Sequence, residues 1–296
     1  MRVGLVFNEQ AGDASTQEEL VAMIRRHGHS VVAVASRIEG VDALPLESLD
    51  MVAVAGGDGT IGFTLAAMPD ARLPIALVPT GTANNIATSL EVPSDCDEAI
   101  DLWRHGRVQG FDVGIATGPW GEHRFVESVG GGLVTHGIVV MDRRNYRHPT
   151  VTGQLERARN AHADLLEHLE PAEWELVLDG TTLHQRLLLL EVLNVTRVGP
   201  GLALADASPF DGTFTVVAAG AGHREMLAGW IRGGAVGALP SPLAAWQARD
   251  ITITRCDRLH LDDEVVEAQE ATAVALRVDA RAVSVLVAAD LLSRSR

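Results

Sequence analysis

Short apolar runs alternate with amphipathic segments in the first third of the chain. The runs that predict strands are residues 3–7, 31–35, 51–55 and 75–78. After the first run, Ser15 and Glu18 form a predicted capping box, and apolar residues then recur at helical spacing until Gly28 ends the helix. Residues 84–90 predict another helix. Strands that alternate with helices in this way indicate a doubly wound, Rossmann-like parallel sheet.

The pattern changes after about residue 112, where strand-like runs dominate. These runs are residues 125–129, 174–178, 187–194, 214–219, 251–254 and 273–278. Only residues 155–169 and 225–231 keep clear helical spacing. We therefore expect an α/β domain of residues 1–113 plus a C-terminal segment of about 288–296, and a β-rich, sandwich-like domain of residues 114–287. The run at 283–288 could return to either domain.

The charge of the chain excludes several classes of function. Its 296 residues carry a formal net charge of −15, and all 24 basic residues are Arg. We therefore expect no nucleic-acid binding and no mechanism that needs a Lys, such as that of a P-loop or a Schiff base. Cys96 and Cys256 are far apart and lack a metal or redox spacing, which favours a reducing cytoplasm.

A glycine-rich loop carries the strongest local signal for chemistry. Gly56-Gly57-Asp58-Gly59-Thr60 directly follows a predicted buried strand and precedes a predicted helix. Because the turn lacks side chains, backbone N–H groups can point at an anion, and the helix N-terminus adds its positive end. The loop predicts a phosphate site. The alternative is a tight strand-to-helix turn without a ligand.

The same loop contains the spacing Gly57-x-Gly59-x-x-Gly62, which is a dinucleotide-binding fingerprint. A dehydrogenase of that type needs an acidic residue about 20 positions on, at the end of the next strand. That strand ends in Leu77-Val78-Pro79-Thr80, without an acid. A nicotinamide-dependent oxidoreductase is therefore disfavoured.

A second loop, Pro79-Thr80-Gly81-Thr82-Ala83-Asn84-Asn85, follows the fourth predicted strand. In an open parallel sheet, loops at the carboxyl ends of the strands converge on one crevice. The two loops together therefore predict a shared phosphate cradle. Thr82 or Asn84 could also simply cap the following helix, and the two roles are compatible.

The two loops together resemble the catalytic domain of the diacylglycerol kinase family, through Gly-Gly-Asp-Gly-Thr at 56–60 and Pro-x-Gly-Thr-x-Asn at 79–84. The family includes bacterial soluble lipid kinases, ceramide kinases and sphingosine kinases, and is distantly similar to NAD kinases. Other segments that resemble it, in the same order, are residues 8–12, 110–114, 125–132, 194 with 199–201, 206–214 and 261–264.

The resemblance implies an active site in a cleft between the two domains, where the γ-phosphoryl group of ATP passes to a lipid hydroxyl with Mg²⁺. The residues that it assigns to ATP are Asn8, Ser36, Gly56, Gly57, Asp58, Gly59, Thr60 and Thr82. It assigns the role of general base to Glu264, with Asp58 and Thr82 as catalytic companions. It assigns a metal site to Asp211, with the backbone carbonyls of Ser208 and Thr213 beside it.

The chemistry suits these residue types. A lipid hydroxyl is a poor nucleophile until a carboxylate accepts its proton, which is the role implied for Glu264. Without Lys, backbone N–H groups, Mg²⁺ and Arg side chains must stabilise the phosphate charge. From position alone, Glu264 would be a solvated carboxylate in an acidic run, and Asp211 a turn residue before Gly212.

Four positions depart from the pattern of the family. The usual Asn-Glu after the first loop is Gly62-Phe63, and the usual Asn-Asp of the second loop is Asn84-Asn85. The glycine of Asp-Gly-Glu is Asp263, and the proline after Asn8 is Glu9. The first two changes remove carboxylates that could order a nucleotide or a metal.

The leading hypothesis is an ATP- and Mg²⁺-dependent lipid kinase for a diacylglycerol-like or sphingoid hydroxyl. We expect it in the cytoplasm, with its lipid substrate met peripherally at the inner face of the membrane; a homodimer is left open. The alternatives are a kinase of a soluble hydroxyl compound, as in NAD kinases, and a nucleotide- or lipid-binding regulator with little catalysis. The apolar stripe of residues 155–169 is either core or lipid-facing, and the nearby basic stretch from Arg143 to Arg159 could meet anionic headgroups.

Overall fold

The chain packs as two compact units. A computed structural model describes residues 1–11, 16–144, 150–233, 241, 243–254, 258–268 and 272–291, with only the backbone for 142–144. One unit is Met1–Phe111 with Ala280–Arg296, and the other is Asp112–Asp279. The predicted division is 1–113 with 288–296 and 114–287. It differs from the observed one most at the point where the chain returns from the second unit to the first. That return begins at Ala280, because one long strand, Val274–Val287, continues from the second unit into the first.

Strands outnumber helices among the described residues. In chain order the strands are β1 (Arg2–Phe7), β2 (Ser30–Ser36), β3 (Met51–Gly56), β4 (Ile75–Pro79), β5 (Arg107–Gly118), β6 (Gly121–Phe125), β7 (Ser128–Gly132), β8 (Ala172–Leu178), β9 (Thr181–Leu193), β10 (Arg197–Val198), β11 (Leu202–Ala203), β12 (Phe214–Gly220), β13 (Ala245–Ala248), β14 (Asp250–Thr254), β15 (Arg258–Leu261), β16 (Glu264–Glu267) and β17 (Val274–Val287). The α-helices are α1 (Gln17–Arg26), α2 (Asp58–Ala67), α3 (Asn85–Ser89), α4 (Cys96–Asp101), α5 (Leu133–Arg144), α6 (Val151–His168) and α7 (Arg224–Arg232).

The first unit is built on a parallel sheet. Strands β4, β3, β1 and β2 lie side by side in that order, and the end of β17 pairs in parallel with β4. Every residue of β3 is buried, as expected for a parallel strand covered by helices on both faces. Leu20 and Ile24 of α1 pack in one core with Val3 and Leu5. The predicted doubly wound α/β architecture is confirmed.

The cap of α1 lies one residue later than predicted. Thr16, not Ser15, caps the helix: its hydroxyl accepts from the Glu19 N–H at 3.3 Å, and the Glu19 carboxylate accepts from the Thr16 N–H at 2.8 Å. The predicted pair of Ser15 and Glu18 is wrong because the sequence at 15–19 satisfies the capping-box pattern in two registers. Ser15 itself lies outside the described residues.

The second unit is a mostly antiparallel sheet that encloses one core and carries helices on its outer side. The sheet runs in the order β16-β15-β7-β9-β8-β14-β17, with β12 and β13 paired beyond β9. Strands β9 and β12 are buried on both faces. Leu190 and Val216 belong to the inner core, whereas Leu189 and Val217 pack in a second core with residues of α6 and α7. This arrangement confirms the predicted β-rich domain.

Helix α6 explains the apolar stripe at 155–169. Ala158, His162, Ala163 and Leu166 are buried, so the stripe is core rather than a lipid-facing surface. His162 donates from Nδ1 to the Ala158 carbonyl at 2.7 Å in its neutral form, and burial lowers its pKa. Among the described residues, no helix combines the length and the apolar character needed to span a bilayer.

Candidate active site

The sheet of the first unit brings the predicted nucleotide residues to one edge. Asn8 follows β1, Ser36 ends β2, Gly56 ends β3, and Thr80 follows β4. Because these strands are parallel, their carboxyl ends all meet at the same edge. The Asn8 Nδ2 donates to the Thr60 hydroxyl at 3.0 Å, and the Thr80 N–H donates to the Gly56 carbonyl at 3.0 Å. The first-strand loop and the two glycine-rich loops are therefore in direct contact.

The two glycine-rich loops meet at a pair of glycines. A Cβ on Gly81 would overlap the Cα of Gly57 and would lie 2.9 Å from the Asn84 Oδ1. A Cβ on Gly57 would lie 3.1 Å from the Gly81 Cα, which is tight but not an overlap. The close approach explains why glycine is needed on both loops. Helix α2 starts at Asp58, directly after this contact, with Gly57 as its N-cap residue, and a helix N-terminus favours an anion.

Asp58 caps the helix that follows the second loop. Its Oδ1 accepts the Ile86 N–H at 2.9 Å, at the start of α3. Asn84 is the N-cap residue by position, in a left-handed conformation with φ of 49°. Its side chain does not cap the helix: its Oδ1 accepts the Gly81 N–H, and its Nδ2 donates to the Gly81 carbonyl. The predicted capping by Thr82 or Asn84 is therefore replaced by a carboxylate from the neighbouring loop. Thr82 itself lies partly buried in the second loop.

A cavity of about 510 Å³ opens beside the first-strand loop. Residues that line it include Asn8, Gln10, Gln17, Ser36, Arg37 and Glu39. The Ser36 hydroxyl donates to Glu39 at 2.7 Å, and this bond, with that from the Ser36 N–H, lowers the pKa of the Glu39 carboxyl. Arg37 supplies a cation at this cavity in a chain without Lys.

The loop edge also contains a buried hydroxyl without a partner. The Thr80 Oγ1 is buried and has no hydrogen-bond partner among the described residues. Buried polar atoms without partners are rare, and one beside glycine-lined backbone suits a site that takes a polar ligand. The donors at this edge, backbone N–H groups and hydroxyls, match the needs of phosphate.

In the second unit, Asp211 closes a tight turn. Its Oδ1 accepts the N–H of Thr213 at 2.9 Å and lies 2.8 Å from the Thr213 hydroxyl, while Gly212 has φ of 74°. Ser208 lies in the segment that leads into the turn. Within the described ranges, no group of three or more His, Cys, Asp or Glu side chains is arranged for a metal. A single carboxylate suits only an ion that keeps most of its waters, such as Mg²⁺.

Glu264 directly follows the turn that joins β15 to β16, and Asp262 holds that turn in place. Glu264 begins β16 opposite Leu261 and is exposed. The turn residue Asp262 has φ of 51°, and its carboxylate accepts the N–H groups of Val126, Glu127 and Ser128 at 3.0, 2.7 and 3.1 Å. Sequence analysis missed this role of Asp262, because the acidic run 262–267 reads as a solvated face and only the fold brings residues 126–128 to it.

Comparison with known proteins agrees with these features. Residues 2–116 match the family model of the diacylglycerol kinase catalytic domain. The match covers about two fifths of the chain, and over these residues the chain is similar to the catalytic domain of that family. The resemblance drawn from the loops is thus confirmed.

Curated relatives of the family extend the match beyond that domain. A diacylglycerol kinase of Bacillus subtilis is 25% identical over 228 residues, which cover 73% of this chain and 73% of the relative. A probable lipid kinase YegS-like protein of Cronobacter sakazakii is 29% identical over 165 residues, which cover 47% of this chain and 55% of the relative. The second match therefore spans about half of each protein.

Solved structures share the fold over nearly the whole chain. A putative diacylglycerol kinase from Bacillus anthracis matches with a TM-score of 0.75 at 18% identity, over 97% of both chains. Yeast NADH kinase, solved with NADH, matches with a TM-score of 0.54 at 12% identity, over 97% of this chain and 83% of its own. At these identities the likeness shows the fold, which is that of the diacylglycerol kinases and NAD kinases.

The structure locates the departures from the family pattern. Phe63, where the diacylglycerol kinase pattern has Glu, is 49% exposed, and its ring would lie 3.1 Å from a Cβ on Gly40. Asn85, where the pattern has Asp, is buried. Of the basic stretch, Arg147 and the side chains of Arg143 and Arg144 lie outside the described residues. Arg159 donates to the Pro200 carbonyl at 3.4 Å.

The turn at Asp262 predicts a pH-dependent stability. Desolvation raises the pKa of Asp262 from 3.8 to about 6, against the lowering effect of the three N–H donors; Asp263 adds to the rise. Because the folded pKa lies above the unfolded one, the folded state holds the proton more tightly. The free energy of unfolding therefore rises as the pH falls from about 6 to about 4, by at most about 3 kcal/mol from this group.

Urea unfolding of the wild type and of Asp262→Asn between about pH 4 and pH 7 measures this contribution. We expect the stability difference between the two proteins to shift in favour of the wild type as the pH falls, and to level off towards pH 7. A difference that stays constant over the whole range would contradict the assignment.

Proposed function

We propose that the protein is an ATP- and Mg²⁺-dependent lipid kinase, which transfers the γ-phosphoryl group of ATP to the hydroxyl of a diacylglycerol-like or sphingoid lipid. The observation that carries the proposal is the contact between the two glycine-rich loops at Gly57 and Gly81. The backbone N–H groups at the start of α2, directly after Gly57, would bind phosphate. The match of residues 2–116 to the diacylglycerol kinase family model and the names of the relatives support the lipid class of the acceptor.

The first unit would hold the nucleotide. Residues 56–60 and Thr82 would take the phosphates, with the Thr80 hydroxyl as a further donor. The cavity beside Asn8 and Ser36 would take the rest of the nucleotide, where Arg37 offers the charge that a Lys supplies in other kinases. Because the Ser36 hydroxyl already donates to Glu39, we expect Ser36 to contribute less than Asn8 does.

The second unit would supply the acid–base and metal groups. Asp211, with the carbonyl oxygens of Ser208 and Thr213, would hold Mg²⁺, and the ion would supply positive charge for the transferred phosphoryl group. Glu264 would accept the proton of the lipid hydroxyl. The hydroxyl oxygen forms a bond to the γ-phosphorus, the bond from that phosphorus to the bridging oxygen breaks, and ADP leaves with the electron pair.

Two substitutions of Asp58 separate its charge from its capping role. Asp58→Asn keeps an oxygen for the Ile86 N–H but removes the charge, so we expect kcat to fall at least about tenfold with stability nearly unchanged. Asp58→Ala removes both and should also cost about 1 kcal/mol in the free energy of unfolding. Steady-state kinetics and urea unfolding of both variants measure the two effects. Full activity of a folded Asp58→Asn protein would remove Asp58 from the chemistry.

An acceptor panel tests the proposed function. The full chain is incubated with ATP and Mg²⁺ and, in separate reactions, with diacylglycerol in mixed micelles, a sphingoid base in mixed micelles, and NAD⁺ without detergent. We expect a phosphorylated product only with a lipid. Turnover of NAD⁺ alone would support the alternative kinase of a soluble acceptor, and ATP binding by calorimetry without turnover would support a regulator.

A further inference from the structure

A short backbone segment in the second unit is held from both sides by polar groups. Val126, Glu127 and Ser128 direct their N–H groups at the Asp262 carboxylate. The carbonyls of the same segment point the other way. The Asn194 Nδ2 donates to the Val126 carbonyl at 2.8 Å, and the Asn194 N–H donates to the Glu127 carbonyl at 3.0 Å. The segment therefore joins Asp262 to Asn194.

Asn194 continues the connection to Asp112. Its Nδ2 also donates to the Asp112 carbonyl at 2.9 Å, and its side chain is fully buried. Both donor hydrogens of the amide are used, while its Oδ1 has no hydrogen-bond partner among the described residues. Because the two carbonyls accept only, the orientation of the amide is fixed.

Asp112 ends the connection at the turn of Asp211. The Asp112 Oδ2 accepts the Gly212 N–H at 2.7 Å, and the Asp112 N–H donates to the Pro209 carbonyl at 2.7 Å. Asp112 is also buried. One residue thus clamps the segment 209–212 at two points, on either side of Asp211.

We propose that Asp262, Asn194 and Asp112 form a positioning relay, a continuous chain of hydrogen bonds that fixes the hairpin turn before Glu264 relative to the turn of Asp211. The inference rests on the proposed function, since it gives the relay a purpose: holding the general base and the metal carboxylate at a set spacing. Phosphoryl transfer depends on such alignment, and a misplacement of about 1 Å can cost about 10²-fold in rate.

A purely structural role would not require this layout. Buried polar groups cost free energy unless each is satisfied, and apolar residues of the same volume often stabilise a fold equally well. Here the three polar side chains, of which Asn194 and Asp112 are buried, are linked in series through backbone groups, and the two ends of the series are the two turns assigned to chemistry. The core around them is apolar, with Phe125 and Phe214 stacked at 5.3 Å.

Asp262→Asn is the variant that breaks the relay with the least change of shape. Asn tolerates the left-handed φ of 51° at this position, so the hairpin turn keeps its backbone conformation. The amide can still accept from Glu127, but its NH₂ then faces the Val126 N–H. Asp263→Asn is the matched control, because it makes the same chemical change at the next residue, which is exposed. Asn194→Asp is a second variant that removes both side-chain donors in the middle of the relay.

The kinetic arm compares kcat and KM of the full-length variants on the lipid that the wild type phosphorylates. We expect Asp262→Asn and Asn194→Asp to lower kcat by about 10²-fold, with the KM for ATP and for lipid changed less than about threefold, and Asp263→Asn to resemble the wild type. An Asp262→Asn protein that is folded and keeps the wild-type kcat overturns the proposal, and so does an equal loss in Asp263→Asn.

Amide hydrogen exchange gives a readout that is independent of activity. In Asp262→Asn we expect faster exchange at residues 126–128 and also at Gly212, which Asp262 does not touch. Faster exchange at 126–128 with wild-type exchange at Gly212 overturns the relay, whatever the kinetics. If the wild type phosphorylates no acceptor, the proposed function fails, and the exchange at Gly212 alone decides whether the two turns are coupled.

Discussion

Substitution of Glu264 by Gln should lower kcat for lipid phosphorylation by about 10²–10⁴-fold, the range measured when a general base is lost. Gln has nearly the same shape but cannot accept the proton of the hydroxyl. Because Glu264 is exposed at the start of β16, its replacement should leave the fold intact. The KM for ATP should change little, since the nucleotide residues lie in the first unit. Steady-state kinetics with saturating ATP and lipid measures the effect.

Glu267→Gln is the control for this substitution. Glu267 lies on the same strand, is exposed, and pairs with Arg258 at 2.8 Å. The same loss of charge there should change kcat less than about twofold, because an exposed ion pair contributes little. If the two variants lose activity equally, or if Glu264→Gln keeps wild-type activity, Glu264 is not the base.

Substitution of Gly81 by Ala should weaken ATP binding by about 10²-fold or more, because the new methyl group would overlap the Gly57 Cα and force the two loops apart. Backbone atoms of a strand-to-helix loop cannot move aside as a flexible side chain does. Isothermal titration calorimetry with ATP measures the affinity. Thermal unfolding of the same protein shows whether the loss reflects the loops or the whole fold.

Graded variants test the same contact. A methyl group on Gly57 would lie 3.1 Å from the Gly81 Cα, so Gly57→Ala should weaken ATP binding less than Gly81→Ala does. Gly229→Ala is the control, since a Cβ there has no neighbour within 4 Å and α7 tolerates Ala. ATP affinity equal to that of the wild type in a folded Gly81→Ala protein would contradict the cradle.

The strands of the first unit were predictable from sequence because their apolar runs are continuous. The run at 51–55 became Met51–Gly56, and that at 75–78 became Ile75–Pro79. Parallel strands that are covered on both faces are apolar along their whole length, so the sequence shows their bounds clearly. The convergence of the glycine-rich loops follows from the same topology, so this part of the candidate site was predictable as well.

Helix α5 was not predictable in the same way. It follows the glycines of β7 and contains Gly137 in its interior, which weakens the helical pattern. The reason for that glycine is tertiary: a Cβ at 137 would overlap the His162 ring on the neighbouring helix. No local pattern carries this information.

The positioning residues were hidden for a related reason. Asp262 looks like one of several solvated acids, and Asp112 and Asn194 look like ordinary strand residues. Asp262 contacts a segment more than a hundred positions away in the sequence, and Asn194 contacts Asp112, which is 82 positions away. Sequence spacing identifies residues that act on a ligand more readily than residues that hold them in place.

The central claim, transfer of a phosphoryl group from ATP to a lipid hydroxyl, is tested most directly with ATP whose terminal phosphoryl oxygens carry ¹⁸O. The purified chain, Mg²⁺ and the accepted lipid are mixed, and the extracted lipid is analysed by mass spectrometry. The account predicts a phosphorylated lipid that contains all of the non-bridging ¹⁸O of the donor. A lipid fraction without added phosphate, with the label instead in inorganic phosphate or a water-soluble acceptor, would contradict it.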